Sequence, residues 1–380
     1  MQIIVMLIFG AFILGAAVGI FYLFTRFRKM LPKTWREDQK EGFFTKKSLS
    51  YLIACIPILG LILYCAFDLV NGVVVIVNAL VIWIIMDLVG FAVLKAAKKT
   101  VEYHWRGIAA VLVIAGYLGS GWYFAHHVYE THYTVRTDKE IGMDRLRIVQ
   151  ISDAHVGTTF DGTGFKKHME KVQKTNPDVV VVTGDYVDDD TTREDMVLSC
   201  EALGNLKTTY GVYYVYGNHD RGYRNTRDFD DADMRAEMAK NNVTILEDEY
   251  AVIGEHISLI GRKDRSEEMG RGRMDMMTLT KGIDHDKYMI VLDHQPHDFD
   301  TEESAGVDLV LCGHTHGGQM FPVGITGVLS GTNDMNYGME VRGNTTFIVN
   351  SGISDWAIQY KTAAIAEFGV IDLICEGKTP

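Results

Sequence analysis

Residues 309–319 read Leu-Val-Leu-Cys-Gly-His-Thr-His-Gly-Gly-Gln: an apolar run of strand length that stops abruptly in glycine and histidine. The same arrangement recurs upstream. The run 147–152 ends in Ser152-Asp153-Ala154-His155, and 179–183 is followed by Gly184-Asp185-Tyr186-Val187-Asp188. Run 212–216 leads into Gly217-Asn218-His219-Asp220, and 289–292 into Asp293-His294-Gln295-Pro296. Runs 257–260 and 346–349 complete the predicted strands, with 244–260 read as a hairpin. Between the first two strands Phe165, Met169 and Val172 stand at helical spacing, and the helix they predict ends before Asn176-Pro177. Residues 192–206 and 231–240 fit two more helices. The expectation is an α/β fold, with sheets covered by helices.

In open α/β sheets the carboxyl ends of the strands converge on one crevice, so clusters distant in sequence meet in space. The converging donors are the carboxylates of Asp153 and Asp185, the amide oxygen of Asn218 and the imidazoles of His155, His294, His314 and His316. Oxygen and nitrogen donors without thiolate suit Mn, Fe or Zn. Seven donors exceed the needs of one ion with open positions. Two divalent ions about 3.5–4 Å apart, sharing one carboxylate, use them economically. A single Asp-x-His would mean little; five clusters at strand ends point to a metal centre.

These blocks (D-x-H, G-D-x-x-D, G-N-H-D, H and G-H-T-H), in order over about residues 145–373, resemble the calcineurin-like metallophosphoesterases. The run 313–319, Phe321-Pro322, residues 241–264 and Asn350-Ser351-Gly352 are similar to the membrane- or wall-attached bacterial branch. The resemblance implies a four-layer α/β/β/α sandwich over 145–380. It further implies one ion held by Asp153, His155, Asp185 and His316, and another by Asp185, Asn218, His294 and His314. His219 would be the general acid, or a stabiliser of the leaving oxygen, oriented by Asp188. Asp220 is read as solvating a turn or assisting catalysis. Many phosphoprotein phosphatases of the family carry an Arg after G-D-x-x-D, where this chain has Asp189-Asp190. Arg221, Arg224 and Arg262 are therefore candidates to grip the substrate phosphate. His297 is read as surface, and 265–283 as a Met-bearing loop.

The N-terminal third is of another kind. Segments 3–24, 49–70, 73–94 and 107–129 are each about the 20 apolar residues that a membrane span requires, and predict a bundle of four transmembrane helices in region 1–130, with 131–144 as a linker. Of 37 Lys+Arg and 49 Asp+Glu, 12 and 7 fall in residues 1–130, leaving 25 and 42 beyond. A half so acidic is a poor nucleic-acid binder. Basic residues crowd the first and third connections, so those should be cytoplasmic and the acidic domain extracytoplasmic, on a multi-pass protein of the plasma membrane. Trp122, His126 and His127 suit the membrane interface. Asp87, inside the third span, marks either an ion path or a polar contact between helices. The five cysteines show no metal-ligand spacing and read as small buried hydrophobes.

The expected activity is metal-dependent hydrolysis of a phosphodiester, a phosphomonoester or a lipid-linked phosphate, with water attacking in line. Partners would be membrane lipid and a phosphate ester, such as a cell-envelope component. Two rivals stand beside it: a cytoplasm-facing pyrophosphatase of UDP-lipid sugars, and a non-catalytic membrane sensor or scaffold. A transporter fits poorly, because the spans show no repeat.

Overall fold

The computed structural model describes residues 2–376 apart from 41, 43, 223–225 and 268–271, and at 2–9, 12, 222 and 323 only the backbone. The chain forms two compact units, Met1–Ser120 and Gly121–Pro380.

The first unit is helical: α1 (Gln2–Met30), the short α2 (Lys33–Arg36), α3 (Lys46–Phe67), α4 (Leu69–Ala96) and the greater part of α5 (Tyr103–His126). Among the described residues α3, α4 and α5 are long and apolar enough to cross a membrane. Four such helices were expected; the first falls in α1, much of whose N-terminal half has only its backbone described. Their outward-facing Leu, Ile and Val side chains would be costly in water and are at home in hydrocarbon. Thr45 opens α3 with a capping box, accepting from Ser48 N at 3.1 Å while Ser48 Oγ accepts from Thr45 N at 2.9 Å. The turn between α3 and α4 lies at Asp68, which closes α3 and caps α4 by accepting from Asn71 N at 2.9 Å. Asp87 is an inter-helix lock: its carboxylate accepts from Tyr22 Oη at 3.0 Å and Tyr103 Oη at 3.0 Å, and pairs with Arg26 Nε at 3.0 Å. That is the polar contact between helices, in the form in which a buried charge persists.

The second unit holds two six-stranded sheets. In the first the order is β1 (Tyr129–Thr137), β12 (Glu367–Cys375), β2 (Arg145–Ile151), β3 (Val179–Thr183), β4 (Val212–Val215), β5 (Val243–Ile245). Strands β2 to β5 run parallel, and β12 is antiparallel to β2. In the second the order is β10 (Gly338–Arg342), β11 (Thr345–Val349), β9 (Leu309–Cys312), β8 (Tyr288–Leu292), β7 (Ile257–Gly261), β6 (Glu249–Ile253), with β11, β9, β8 and β7 parallel. Helices α6 (Gly162–Lys174), α7 (Arg193–Gly204), α8 (Asn218–Gly222) and α9 (Asp231–Lys240) accompany the first sheet, and α10 (Met276–Thr280), α11 (Phe299–Ser304) and α12 (Thr326–Leu329) the second.

Strand periodicity of two explains the layering. In β3, Val179 and Val181 face the second sheet, in one core with Leu259, Ile290, Leu309 and Ile348. Val180 and Val182 face outward onto Phe165 and Met169 of α6 and Met196 and Cys200 of α7. The outer face of the second sheet, with Met289, Val291 and Phe347, packs on Met276 of α10 and Phe299 of α11. The result is an α/β/β/α sandwich. Thr192, Asp161 and Asp230 cap α7, α6 and α9 by accepting from the backbone N–H three residues on, each worth about 1 kcal/mol.

Two boundaries differ from expectation. Residues 131–144 are not a free linker: β1 pairs in parallel with β12 from Tyr129↔Glu367 to Thr137↔Cys375. The hairpin is β6–β7 alone, whereas β5 pairs with β4 in the other sheet. Of the cysteines, Cys200 and Cys312 are buried as expected, but Cys55 is exposed on α3.

Candidate metal centre and catalytic residues

Strands β2, β3, β4, β8 and β9 end along one edge shared by the two sheets, which Gln150 ties together by donating to the Cys312 carbonyl at 2.8 Å. Just beyond those ends the backbone turns so sharply that Asp153, His155, Asp185, His314 and His316 all have positive φ, between 36° and 70°. Non-glycine residues there cost about 1–3 kcal/mol each and persist only where the surroundings hold them. Here they are held. Asp153 N donates to Gly184 O at 3.0 Å, His155 N to Asp185 O at 3.1 Å, and His314 N to Asp153 Oδ1 at 3.0 Å. Gly184 must be glycine: its φ is +84°, and a Cβ would lie 2.6 Å from His294 Nδ1.

Two sets of donors result, each with ligand atoms within 4.8 Å of one another: Asp153, His155, His316 and Asp185, His294, His314. Asp185 stands between them, with Oδ2 3.0 Å from His294 Nε2 and 3.9 Å from His155 Nε2. Asn218 closes the second set, with Oδ1 3.2 Å from His294 Nε2. His294 donates its other ring nitrogen to Thr183 O at 2.8 Å, which turns Nε2 inward, the usual way a metal-binding imidazole is fixed. The donor set fits cations: His155 Nε2, His314 Nδ1 and His316 Nδ1 are buried without a hydrogen-bond partner. Burial foremost, with the neighbouring His294, pushes the His314 imidazole down to about 4; burial and His155 push His316 down as well. Both are thus neutral near pH 7, the form that binds metal.

Asp188, Asp153 and Asp185 are at most 1% exposed. Burial would raise the Asp188 carboxyl, but hydrogen bonds from His155 and His219 outweigh it and hold the group below the ordinary carboxylate range. His219 Nδ1 is 2.9 Å from Asp188 Oδ1. Burial disfavours its charged form, yet the hydrogen bond to Asp188 and the charges of Asp185 and Asp188 outweigh it and raise its pKa above the ordinary imidazole value. Its backbone N–H donates to Asp185 Oδ1 at 2.8 Å.

The sequence model of the calcineurin-like phosphoesterase family matches residues 146–318. An uncharacterized metallophosphoesterase of Helicobacter pylori is 32% identical over 293 residues, covering 74% of this chain and 73% of that protein. The chain belongs to the calcineurin-like metallophosphoesterase family. A "transmembrane protein with metallophosphoesterase domain" from Danio rerio is 30% identical, covering 59% of this chain and 52% of its own. A dimetal phosphatase from Danio rerio, a solved structure, aligns at TM-score 0.36 with 11% identity, over 55% of this chain and 87% of its own.

This metallophosphoesterase is a phosphoester hydrolase with membrane-spanning helices. It departs from the sequence expectation at the arginines. Arg221 is buried, with its guanidinium on Glu247 at 2.7 Å and over the Tyr216 ring at 3.8 Å, and so braces the fold rather than gripping phosphate. Arg262 is equally buried, held by Asp293 at 2.9 Å and Glu302 at 3.1 Å. Arg224 lies outside the described residues. Asp220 does not solvate a turn: it is buried and accepts from the backbone N–H of Asp185, Tyr186, Val187 and Gly217 at 2.7–3.0 Å. His297 is partly exposed, beside Asp298.

Three residues near the centre carried no sequence signal. Trp356 sets its ring edge-on to His219 at 5.2 Å. Lys361 is fully buried, its ammonium 3.1 Å from Asp355, whose Oδ1 is 3.8 Å from His316 Nδ1.

Proposed function

We propose that the chain hydrolyses a phosphate ester at a dinuclear centre, with Asp153, His155, Asp185 and His316 holding one divalent ion and Asp185, Asn218, His294 and His314 the other. When bound, such a pair lowers the pKa of water and neutralises phosphoryl charge. The observation that carries this reading is the Asp185 Oδ2 atom, within 4 Å of an inward-facing imidazole nitrogen from each donor set.

The protein's own contribution is positioning and proton delivery. A new P–O bond forms from water, the ester P–O bond opposite breaks, and the leaving oxygen takes a proton from His219. Asp188 keeps that ring in register and stabilises its charged form. With Arg221 and Arg262 committed to carboxylates, the substrate's charge falls to the ions and to His219.

The domain would face away from the cytoplasm. Lys and Arg gather where α1 leads to α3 and α4 leads to α5, whereas Asp68 alone separates α3 from α4. A reporter fused after residue 380 should be active only outside the cytoplasm; cytoplasmic activity would favour UDP-lipid substrates. For the chemistry, purified full-length protein should hold two metal equivalents and cleave bis(4-nitrophenyl) phosphate with added Mn²⁺. Unchanged turnover in Asp185→Asn and His314→Ala proteins would sink the assignment.

A further inference from the structure

The segment that follows the His314–His316 loop is built unlike the rest of the domain surface. Residues 319–333 contain no charged side chain. Phe321, Ile325, Val328 and Leu329 are 59%, 47%, 43% and 80% exposed. An uncharged run this apolar at the rim of a polar crevice is a contact surface waiting for an apolar phase.

Two sets of contacts say which phase. The first fastens the rim to the candidate centre. Gly318 and Gly324 pack backbone to backbone, a Cβ on Gly318 falling 2.9 Å from Gly324 Cα. Asn336 donates to the Gly324 carbonyl and receives at its own carbonyl the Thr315 hydroxyl. Asp334 N donates to Pro296 O at 2.8 Å, joining the rim to the His294 loop as well.

The second set fastens the same rim to the last turn of α5. Thr362 N donates to Gln319 O at 2.9 Å, and its hydroxyl accepts from Phe321 N at 3.0 Å. Thr362 lies against Gly121, where a Cβ would meet its methyl at 2.6 Å, while Lys361 N donates to Gly121 O at 2.9 Å and Ala366 N to Phe124 O at 2.8 Å. Trp122 and Tyr123 in that turn are 51% and 47% exposed, the pair of residue types that collects where a span leaves hydrocarbon for water. The apolar rim is therefore continuous with the end of a helix apolar enough to cross a membrane.

We infer that Phe321, Ile325, Val328 and Leu329 dock into the hydrocarbon of a lipid bilayer, and that the ester cleaved at the centre is a phosphate carried by a lipid lying in that bilayer. The second half of this inference rests on the phosphoesterase reading; the docking does not. An apolar rim beside the catalytic crevice lets a lipid keep its chains in hydrocarbon while its phosphate reaches the crevice, so extraction into water is avoided.

One chromophore presented in two ways tests it. Full-length protein in phosphatidylcholine vesicles is given either soluble bis(4-nitrophenyl) phosphate or phosphatidyl-4-nitrophenol embedded in the vesicle. The triple variant Phe321→Ser/Ile325→Ser/Leu329→Ser should lose at least about tenfold on the embedded ester and stay within about twofold on the soluble one. Equal losses on both, or none on either, overturn the substrate assignment. Docking is read separately with vesicles bearing a diazirine on the acyl chain, followed by peptide mapping. Adducts on 320–330 as well as on α3–α5 are expected. Adducts on α3–α5 alone overturn the docking, and would leave the patch to a protein partner or a second copy. A wild-type protein inert on both esters but labelled at 320–330 would fail the phosphoesterase reading and leave the docking standing.

Discussion

Asp188 and His155 meet at 2.7 Å, Oδ2 to Nδ1, while the other oxygen of the same carboxylate takes His219 Nδ1 at 2.9 Å. One buried side chain therefore orients both a candidate metal ligand and the candidate acid. The two functions come apart by substitution. His219→Gln should keep metal stoichiometry and lose about 10²–10⁴ in kcat, the usual weight of a general acid. Asp188→Asn should lose rate and, in addition, weaken metal binding about 10–100-fold, because His155 loses the acceptor that turns Nε2 inward. Metal titration of both proteins by calorimetry checks this. Wild-type metal affinity in Asp188→Asn would remove His155 from the first ion.

Arg262 looks, from sequence, like an anion grip, yet its side chain is 3% exposed and lies against Asp293 and Glu302, themselves fully buried. Truncating one partner of a buried pair strands the others' charge, at about 3–5 kcal/mol. Arg262→Ala should accordingly show a large fall in Tm, with the KM of the folded fraction for a soluble diester unchanged. A manyfold rise in KM at unaltered Tm would return Arg262 to the substrate.

What could be read ahead of the structure follows burial. Strand β3 is Val-Val-Val-Val-Thr with every residue buried, so its two packed faces show as one unbroken apolar run, and its polar successor Asp185 stands out. Edge strand β1 is half wetted, reads Tyr-Glu-Thr-His-Tyr-Thr-Val-Arg-Thr, and pairs with a strand more than 230 residues away; nothing local marks it. Strand β10 is largely exposed and shows no alternation at all. The same division holds at the site. Asp153, His155, Asp185, His314 and His316 announce themselves because each follows a strand. Lys361 does not, since a lysine between Tyr360 and Thr362 reads as surface until the fold closes over it.

His168 on α6 gives a pH signature away from the metal centre. Burial, and secondarily Lys171, push its imidazole from 6.5 down to about 4, and its ring packs 5.0 Å from Phe160. A folded pKa below the unfolded one means the fold prefers the neutral ring. Its contribution is therefore complete above pH 6.5, declines as pH falls below that value, and is exhausted below about 4. The Tm difference between wild type and His168→Gln, followed from pH 7 to pH 4, should shift steadily toward the variant as pH falls. A difference independent of pH would show the ring to be wetted.

Lys361 and Asp355 form a fully buried pair at 3.1 Å, and the ammonium also donates to the carbonyls of Ser351 at 2.7 Å, Ser354 at 3.1 Å and Gly352 at 3.3 Å. It thus pins the turn after β11, which faces Asp153, to the segment that carries Trp356. Burial raises the Asp355 carboxyl and Lys361 pulls it back, so removing the lysine leaves a carboxylate with no cation beside His316. Lys361→Met alone should cost about 3–5 kcal/mol, whereas Lys361→Met/Asp355→Leu should recover part of that loss, because no charge is then stranded. A double-mutant cycle on denaturant midpoints measures the coupling, expected at more than about 1 kcal/mol for groups in direct contact. If the two losses simply add, the ammonium is held by the three carbonyls alone, and Asp355 has no part in fixing the turn.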